Sequence, residues 1–135
     1  MTVIIYSSNR VFREYVTGLL AASSYQLLEV INELEALNAV KKYREALIIL
    51  DVHSLEPAYS CEALSFLKSI NREGYSSNHV VALSWFSASF IFRHTRQHPF
   101  YNQYLGKPFR GTKYHLLQLP VEASSFLSII ESHSI

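Results

Sequence analysis

Five apolar residues, Ala46, Leu47, Ile48, Ile49 and Leu50, run straight into a carboxylate, Asp51. A run with no polar alternation reads as a strand buried on both faces, the kind found in parallel sheets that carry helices on either side. In open sheets of that type, ligands and chemistry gather at the carboxyl ends of the strands. Asp51 is therefore expected at a site, delivered to the surface by the strand before it. What kind of site depends on the tips of the neighbouring strands.

The rest of the chain supplies those strands. Residues 3–6 form a short β-rich run, and Ser7, Ser8 and Asn9 behind it read as a turn and helix cap. Across residues 10–22, Phe12, Tyr15, Val16, Leu19 and Leu20 recur at the spacing of an amphipathic helix. Residues 25–31 read as a second strand, and Asn32 with Glu35 as a capping box opening a helix with Leu34, Leu37 and Val40 on one face. Beyond Asp51, a loop at 53–59 broken by Pro57 leads to a helix over about 60–72, with Cys61, Leu64, Leu67 and Ile70 spaced at three and Gly74 as its stop. Residues 79–85 make a strand containing Val80, Val81, Ala82, Leu83 and Ser84. Residues 86–113 are atypical: a helix over 86–97 is stopped by His98 and Pro99, and Gly106, Pro108 and Gly111 punctuate the remainder of the segment. Residues 114–119 form a last strand, and 121–133 a closing helix with Phe126, Leu127, Ile129 and Ile130 inward. Five strands alternating with about five helices predict a parallel, doubly wound sheet.

With 135 residues, 49% of them hydrophobic, the chain is expected to form one compact domain over residues 1–135. A net charge of +1 gives no global field toward nucleic acid or an anionic membrane. The balance is uneven, because from Gly74 to Val121 there is no acid while Arg93, Arg96, Lys107, Arg110 and Lys113 all fall there. The one cysteine, Cys61, excludes an internal disulfide framework, fits a reducing compartment, and repeats with an apolar helix face as packing. The start lacks the features of a signal peptide, and no apolar run approaches the roughly 18 residues of a membrane span, so a cytoplasmic protein is expected. Among the six histidines, His53 near Asp51 and the pair His94 and His98 have usable metal-ligand spacings. Without a Glu or Cys beside the pair they read as solvated or hydrogen-bonded, and no metal is assigned. No glycine loop, metal cluster or nucleophile–base pattern points to an enzyme.

A chain of this length with a polar pair ending strand one, Asp51 ending strand three and Ser84 ending strand four resembles the receiver domain of bacterial response regulators, over nearly its whole length. That resemblance implies a receiver-like (flavodoxin-like) α/β/α three-layer sandwich around a five-stranded parallel sheet. In receivers the strand-one tip carries two acids that, with the strand-three Asp, hold magnesium. That Asp accepts a phosphoryl group from a histidine kinase, a strand-four Ser or Thr binds the phosphate, and a Lys before Pro on strand five pairs with it. Here Asp51 matches the acceptor position and Ser84 the hydroxyl, but Ser7 and Ser8 stand where the two acids belong. Magnesium wants hard oxygen ligands anchored by carboxylates. Two hydroxyls supply no charge, so its binding is expected to be lost or weak and no cofactor is expected. Without the metal, attack of one anion on another lacks an electrostatic support of about 3 kcal/mol or more.

The lysine has two registers. Tyr104, Leu105, Gly106, Lys107, Pro108 and Phe109 look like the strand-five motif at about the right distance from Ser84. Alternatively Leu117, Gln118, Leu119 and Pro120 end the strand, Leu119 replaces the lysine, and Lys107 belongs to an enlarged loop. We prefer the second register, since the first puts Pro120 inside a helix at a cost of roughly 3 kcal/mol and leaves residues 121–133 unexplained.

The expected function is that of a pseudo-receiver, a signalling module of two-component type that works through protein contacts without the magnesium-dependent phosphorylation cycle. Its vestigial pocket comprises Ser7, Ser8, Ser84, Lys107 and Leu119 around Asp51. The basic, aromatic stretch 90–114, with Arg93, Arg96, Phe100, Tyr101, Tyr104 and Arg110, has the composition of a protein interface, for a histidine kinase, a downstream regulator or a homodimer. Two alternatives stand beside it. One is a phosphorylatable response regulator using Asp51 and Lys107; the other is a nucleic-acid-binding module using segment 90–114 through phosphate contacts and stacking, which the near-zero net charge disfavours. No membrane partner is expected.

Overall fold

The uninterrupted apolar run lies at the centre of a parallel sheet. A computed structural model describes residues 1–51, 62–73, 80–84 and 114–132. In chain order the elements are β1 (Thr2–Tyr6), α1 (Arg10–Leu19), β2 (Gln26–Val30), α2 (Glu33–Lys42), β3 (Leu47–Asp51), α3 (Glu62–Arg72), β4 (Val80–Ser84), β5 (Tyr114–Gln118) and α4 (Ala123–Ser132). The strand order is β2-β1-β3-β4-β5 with every neighbouring pair parallel. All five residues of β3 are buried, as expected of a strand covered on both faces.

Strand alternation divides the core into two layers. Val3, Ile5, Leu47, Ile49, Val81 and Leu83 face α1 and α4, which contribute Phe12, Val16, Leu19, Phe126 and Ile130. Ile4, Tyr6, Ile48, Leu50 and Val80 face α2 and α3, which contribute Ala36, Ala39, Val40, Phe66, Leu67 and Ile70. The Tyr6 and Phe66 rings meet edge to face at 5.2 Å. This is the α/β/α sandwich that the alternating pattern predicts.

The helices depart from their expected faces in two places. The apolar spacing puts Leu34 on the inner face of α2, but Leu34 is 70% exposed, and the buried stripe is Ala36, Ala39 and Val40 with Leu37 packed beside it. Asn32 caps the helix and sets its phase, which turns Leu34 about 200° away from Ala36 at 100° per residue. In α3 a spacing of three passes over Phe66, a fully buried member of the core. The side chains of Cys61 and Leu64, the helix expected at 86–97, and His53, His94 and His98 lie outside the described residues.

β5 pairs with β4 along its whole length, from Val80↔Tyr114 to Ser84↔Gln118. The chain turns at Leu119 and Pro120, joined by a cis peptide bond, and enters α4. Strand five therefore ends beside Leu119, the register preferred from the sequence. Among the described residues no helix is long and apolar enough to cross a membrane.

Candidate functional site at the carboxyl ends of β1, β3 and β4

After β1 the chain moves outward to β2 and then returns across β1 to β3, so the strand order reverses between β1 and β3. Such a switch point opens a crevice at the carboxyl ends of the two strands. The register Tyr6↔Leu50 brings the next residue of each strand, Ser7 and Asp51, side by side there. The buried polar side chains among the described residues are Ser7, Asp51, Ser69 and Ser84, and all but Ser69 sit at the tips of β1, β3 and β4. Buried polarity in an apolar core has to be satisfied internally, so its concentration at three strand ends marks the candidate site.

Ser7 is the centre of a hydrogen-bonded turn. Its Oγ donates to Asp51 Oδ2 at 2.8 Å and accepts from the Asn9 backbone N–H at 2.9 Å. Its own N–H donates to the Val30 carbonyl at 3.3 Å, and its carbonyl accepts from Arg13 at 2.7 Å. Asn9 caps α1, its Oδ1 accepting from the backbone of Val11 at 2.9 Å and of Phe12 at 3.4 Å. Arg13 also pairs with Glu29 at 3.3 Å, tying the first turns of α1 to β2. The short link from β1 to α1 is thus fixed at every polar group of Ser7. A hydrogen bond to a charged carboxylate contributes about 1.5–3 kcal/mol.

This geometry corrects two expectations. Asp51 is not delivered to the surface: it is 5% exposed, with Ser7, itself fully buried, bonded to its Oδ2. The helix cap is Asn9, not either serine, and Ser7 instead reaches across to β3 while Ser8 is exposed. A hydroxyl whose proton is held by a carboxylate has the makings of a nucleophile–base pair. Ser7 is fully buried, with its hydroxyl proton directed at the carboxylate.

The other two strand tips differ from each other. Ser84 ends β4, is 1% exposed, and follows Leu83, the register partner of Asp51. Its carbonyl accepts from the Leu119 N–H at 2.7 Å. Leu119 is 3% exposed and packs in the layer that holds Leu83, Phe126 and Ile130. The Tyr15 hydroxyl accepts from the Val121 N–H at 3.4 Å and ties α1 to this turn. Ser7, Asp51, Ser84 and Leu119 are therefore brought to one edge of the sheet. Lys107, Arg93, Arg96, Phe100, Tyr101, Tyr104 and Arg110 lie outside the described residues. Asn9 is the one of the three cap candidates that caps the helix, whereas sequence reasoning misses Arg13 and Glu29 as the residues that hold the turn; an Arg at the fourth position of α1 and an acid near the end of β2 are the available signal.

No family model matches the chain, and no curated protein matches it. Solved structures do. The chemotaxis protein CheY4 of Vibrio cholerae superposes with a TM-score of 0.67 at 17% identity, covering 97% of this chain and 96% of that one. The receiver domain of an HD-domain-containing protein from Pseudomonas fluorescens gives 0.68 at 16% identity, covering 98% and 85%. The response regulator TrrA of Thermotoga maritima, solved in complex with Mg²⁺ and beryllofluoride, gives 0.66 at 14% identity, covering 98% and 97%. The chain has the fold of a response-regulator receiver domain, across nearly its full length.

Proposed function

We propose that this chain is a pseudo-receiver: a signalling module of two-component type that acts through protein contacts and does not run a magnesium-dependent phosphorylation cycle at Asp51. The observation that carries this reading is the 2.8 Å hydrogen bond from Ser7 to Asp51. The place at which the resemblance implies a metal-binding acid is held by a neutral donor that occupies one oxygen of the acceptor carboxylate.

Magnesium does not fit this donor set. Octahedral coordination needs several hard oxygens at about 2.1 Å, with carboxylates to offset the cost of dehydration. Among the described residues, the tips of β1 and β3 offer one carboxylate, whose Oδ2 already accepts the Ser7 hydrogen bond, and the two hydroxyls of Ser7 and Ser8. The strand-five tip supports the same reading, because the place of the phosphate-pairing lysine is filled by Leu119, packed in apolar surroundings. We assign the module no enzymatic activity and no cofactor. Its partner is a protein, a histidine kinase or a downstream regulator, docking on the basic, aromatic segment 90–114, whose Arg, Tyr and Phe content suits an interface.

The test uses Trp85, the chain's one tryptophan, which directly follows Ser84. Beryllofluoride with Mg²⁺, and separately acetyl phosphate with Mg²⁺, are expected to leave its fluorescence unchanged. A saturable change that disappears in Asp51→Asn would mean that the acceptor works, and would replace this reading with that of a phosphorylatable regulator.

A further inference from the structure

We infer that copies of this chain associate head to tail, the acidic start of α2 in one copy seating on the basic end of α2 in the next. α2 leaves the carboxyl edge of the sheet after β2 and returns to the amino edge before β3, so its two ends, about 15 Å apart, open on opposite sides of the molecule. Among the described residues, Glu29, Glu33 and Glu35 lie around the first end, Glu29 paired with Arg13 at 3.3 Å and Glu33 accepting from the Ser65 hydroxyl at 2.6 Å. Around the other lie the exposed Lys41, Lys42, Arg44 and Arg72, against Glu45 and Glu73. Arg72 and Glu73 belong here because α3 runs beside α2, with Lys41 and Glu73 3.7 Å apart. The two ends are opposite in sign.

Charge at helix termini also offsets the helix dipole, and Glu35 accepts the Ile31 N–H at 2.9 Å. The apolar side chains at the same place serve neither purpose. Leu34 is 70% and Ile31 48% exposed, and neither belongs to the core. At the amino edge Tyr43 is half-buried against the core, with the Lys42 ammonium 5.3 Å from its ring centre. The first end thus combines exposed apolar side chains with net negative charge, the other carries net positive charge on the long stems of Lys41 and Lys42 beside Tyr43, and the complement of each is the other end of a second copy. Two different surfaces that fit one another make a heterologous contact, which propagates as a ring or a filament and does not stop at a two-fold dimer. Such contacts between exposed charges are screened by salt.

The experiment is sedimentation velocity on the full chain at rising concentration, in about 20 mM and about 500 mM salt. The parent protein is expected to show a weight-average mass above the monomer that grows with concentration at low salt and collapses at high salt. Glu33→Lys/Leu34→Lys and Lys41→Glu/Lys42→Glu, checked for retained fold by circular dichroism, are each expected to be monomeric alone. Mixed in equal amounts they present opposite ends again, and association is expected to return. The neutral variant Lys41→Gln/Lys42→Gln provides the same one-ended loss should charge reversal disturb folding. A parent that stays monomeric at low salt, an association that these variants leave untouched, or a mixture that fails to associate overturns the proposal. The last two outcomes point to a different face of the molecule.

Discussion

The hydroxyl of Ser7 links the two strands that form the switch point, and its removal affects both of its partners. In Ser7→Ala the buried Asp51 carboxylate loses a donor and the Asn9 N–H loses its acceptor. Losing a hydrogen bond to a buried carboxylate costs about 1–3 kcal/mol, so the variant is expected to unfold at correspondingly lower urea with an unchanged slope. Asp51→Ala removes the acceptor of the Ser7 proton altogether, so Ser7→Ala and Asp51→Ala together are expected to cost less than their sum. Strict additivity in that double-mutant cycle would mean that the bond contributes nothing. Both residues are legible in sequence as polar groups at the ends of apolar runs. Their bond is not, because it depends on the parallel register Tyr6↔Leu50, and register between strands separated by a helix leaves no local trace.

Among the elements, α2 shows where periodicity misleads and chemistry does not. The pair Asn32 and Glu35 marks its start correctly: Asn32 Oδ1 accepts the Glu35 N–H at 2.9 Å, although the Glu35 carboxylate reaches one residue further back than a capping box does, to Ile31. Asn32→Ala is expected to cost about 1 kcal/mol in chemical denaturation. Leu34, Leu37 and Val40 together suggest the wrong face, because the buried stripe uses small residues, Ala36 and Ala39, whose hydropathy is weak beside that of Leu34. Leu34→Ala is accordingly expected to change stability by less than about 0.5 kcal/mol, whereas Phe66→Ala in α3, in the layer that α2 covers, is expected to cost about 3–5 kcal/mol. Tyr25, at the start of β2, supplies a pH-dependent test. Burial first, and the Glu131 carboxylate of α4 second, push its phenol above the ordinary value of 10.0. The folded state then keeps a proton that the unfolded chain loses, so the contribution is complete below pH 10 and is lost as the pH rises through the folded value. Thermal melts of Tyr25→Phe should show a smaller decline above that pH than the parent.

At the scale of the whole molecule, the parallel, doubly wound sheet is legible because strands and helices alternate with clear turn signals, and the handedness and short connections of parallel sheets leave few ways to join them. The path through strand five is legible from one backbone argument, the incompatibility of Pro120 with a helix interior, which outweighs the family-like look of Lys107 and Pro108. Burial of Asp51 is not legible, since it depends on long-range packing that leaves no local trace. On the proposed reading, a chain with the receiver fold should accept two carboxylates at the switch point in place of Ser7 and Ser8. In Ser7→Asp/Ser8→Asp a carboxylate replaces the hydroxyl within hydrogen-bond reach of Asp51, and like charges so close in a buried setting destabilise the metal-free protein. A divalent cation binding only the folded state would offset that repulsion, by about 2.7 kcal/mol at a hundred times its Kd, which corresponds to a rise in Tm of roughly 10 °C for a chain of this size. Thermal melts with and without Mg²⁺ are expected to show such a rise in the double variant, smaller with Leu119 retained than in the triple variant with Leu119→Lys once beryllofluoride is added, and none in the parent. An equal rise in the parent would mean that the serines never removed the metal site, and the loss of charge at the tip of β1 would no longer explain what this chain does.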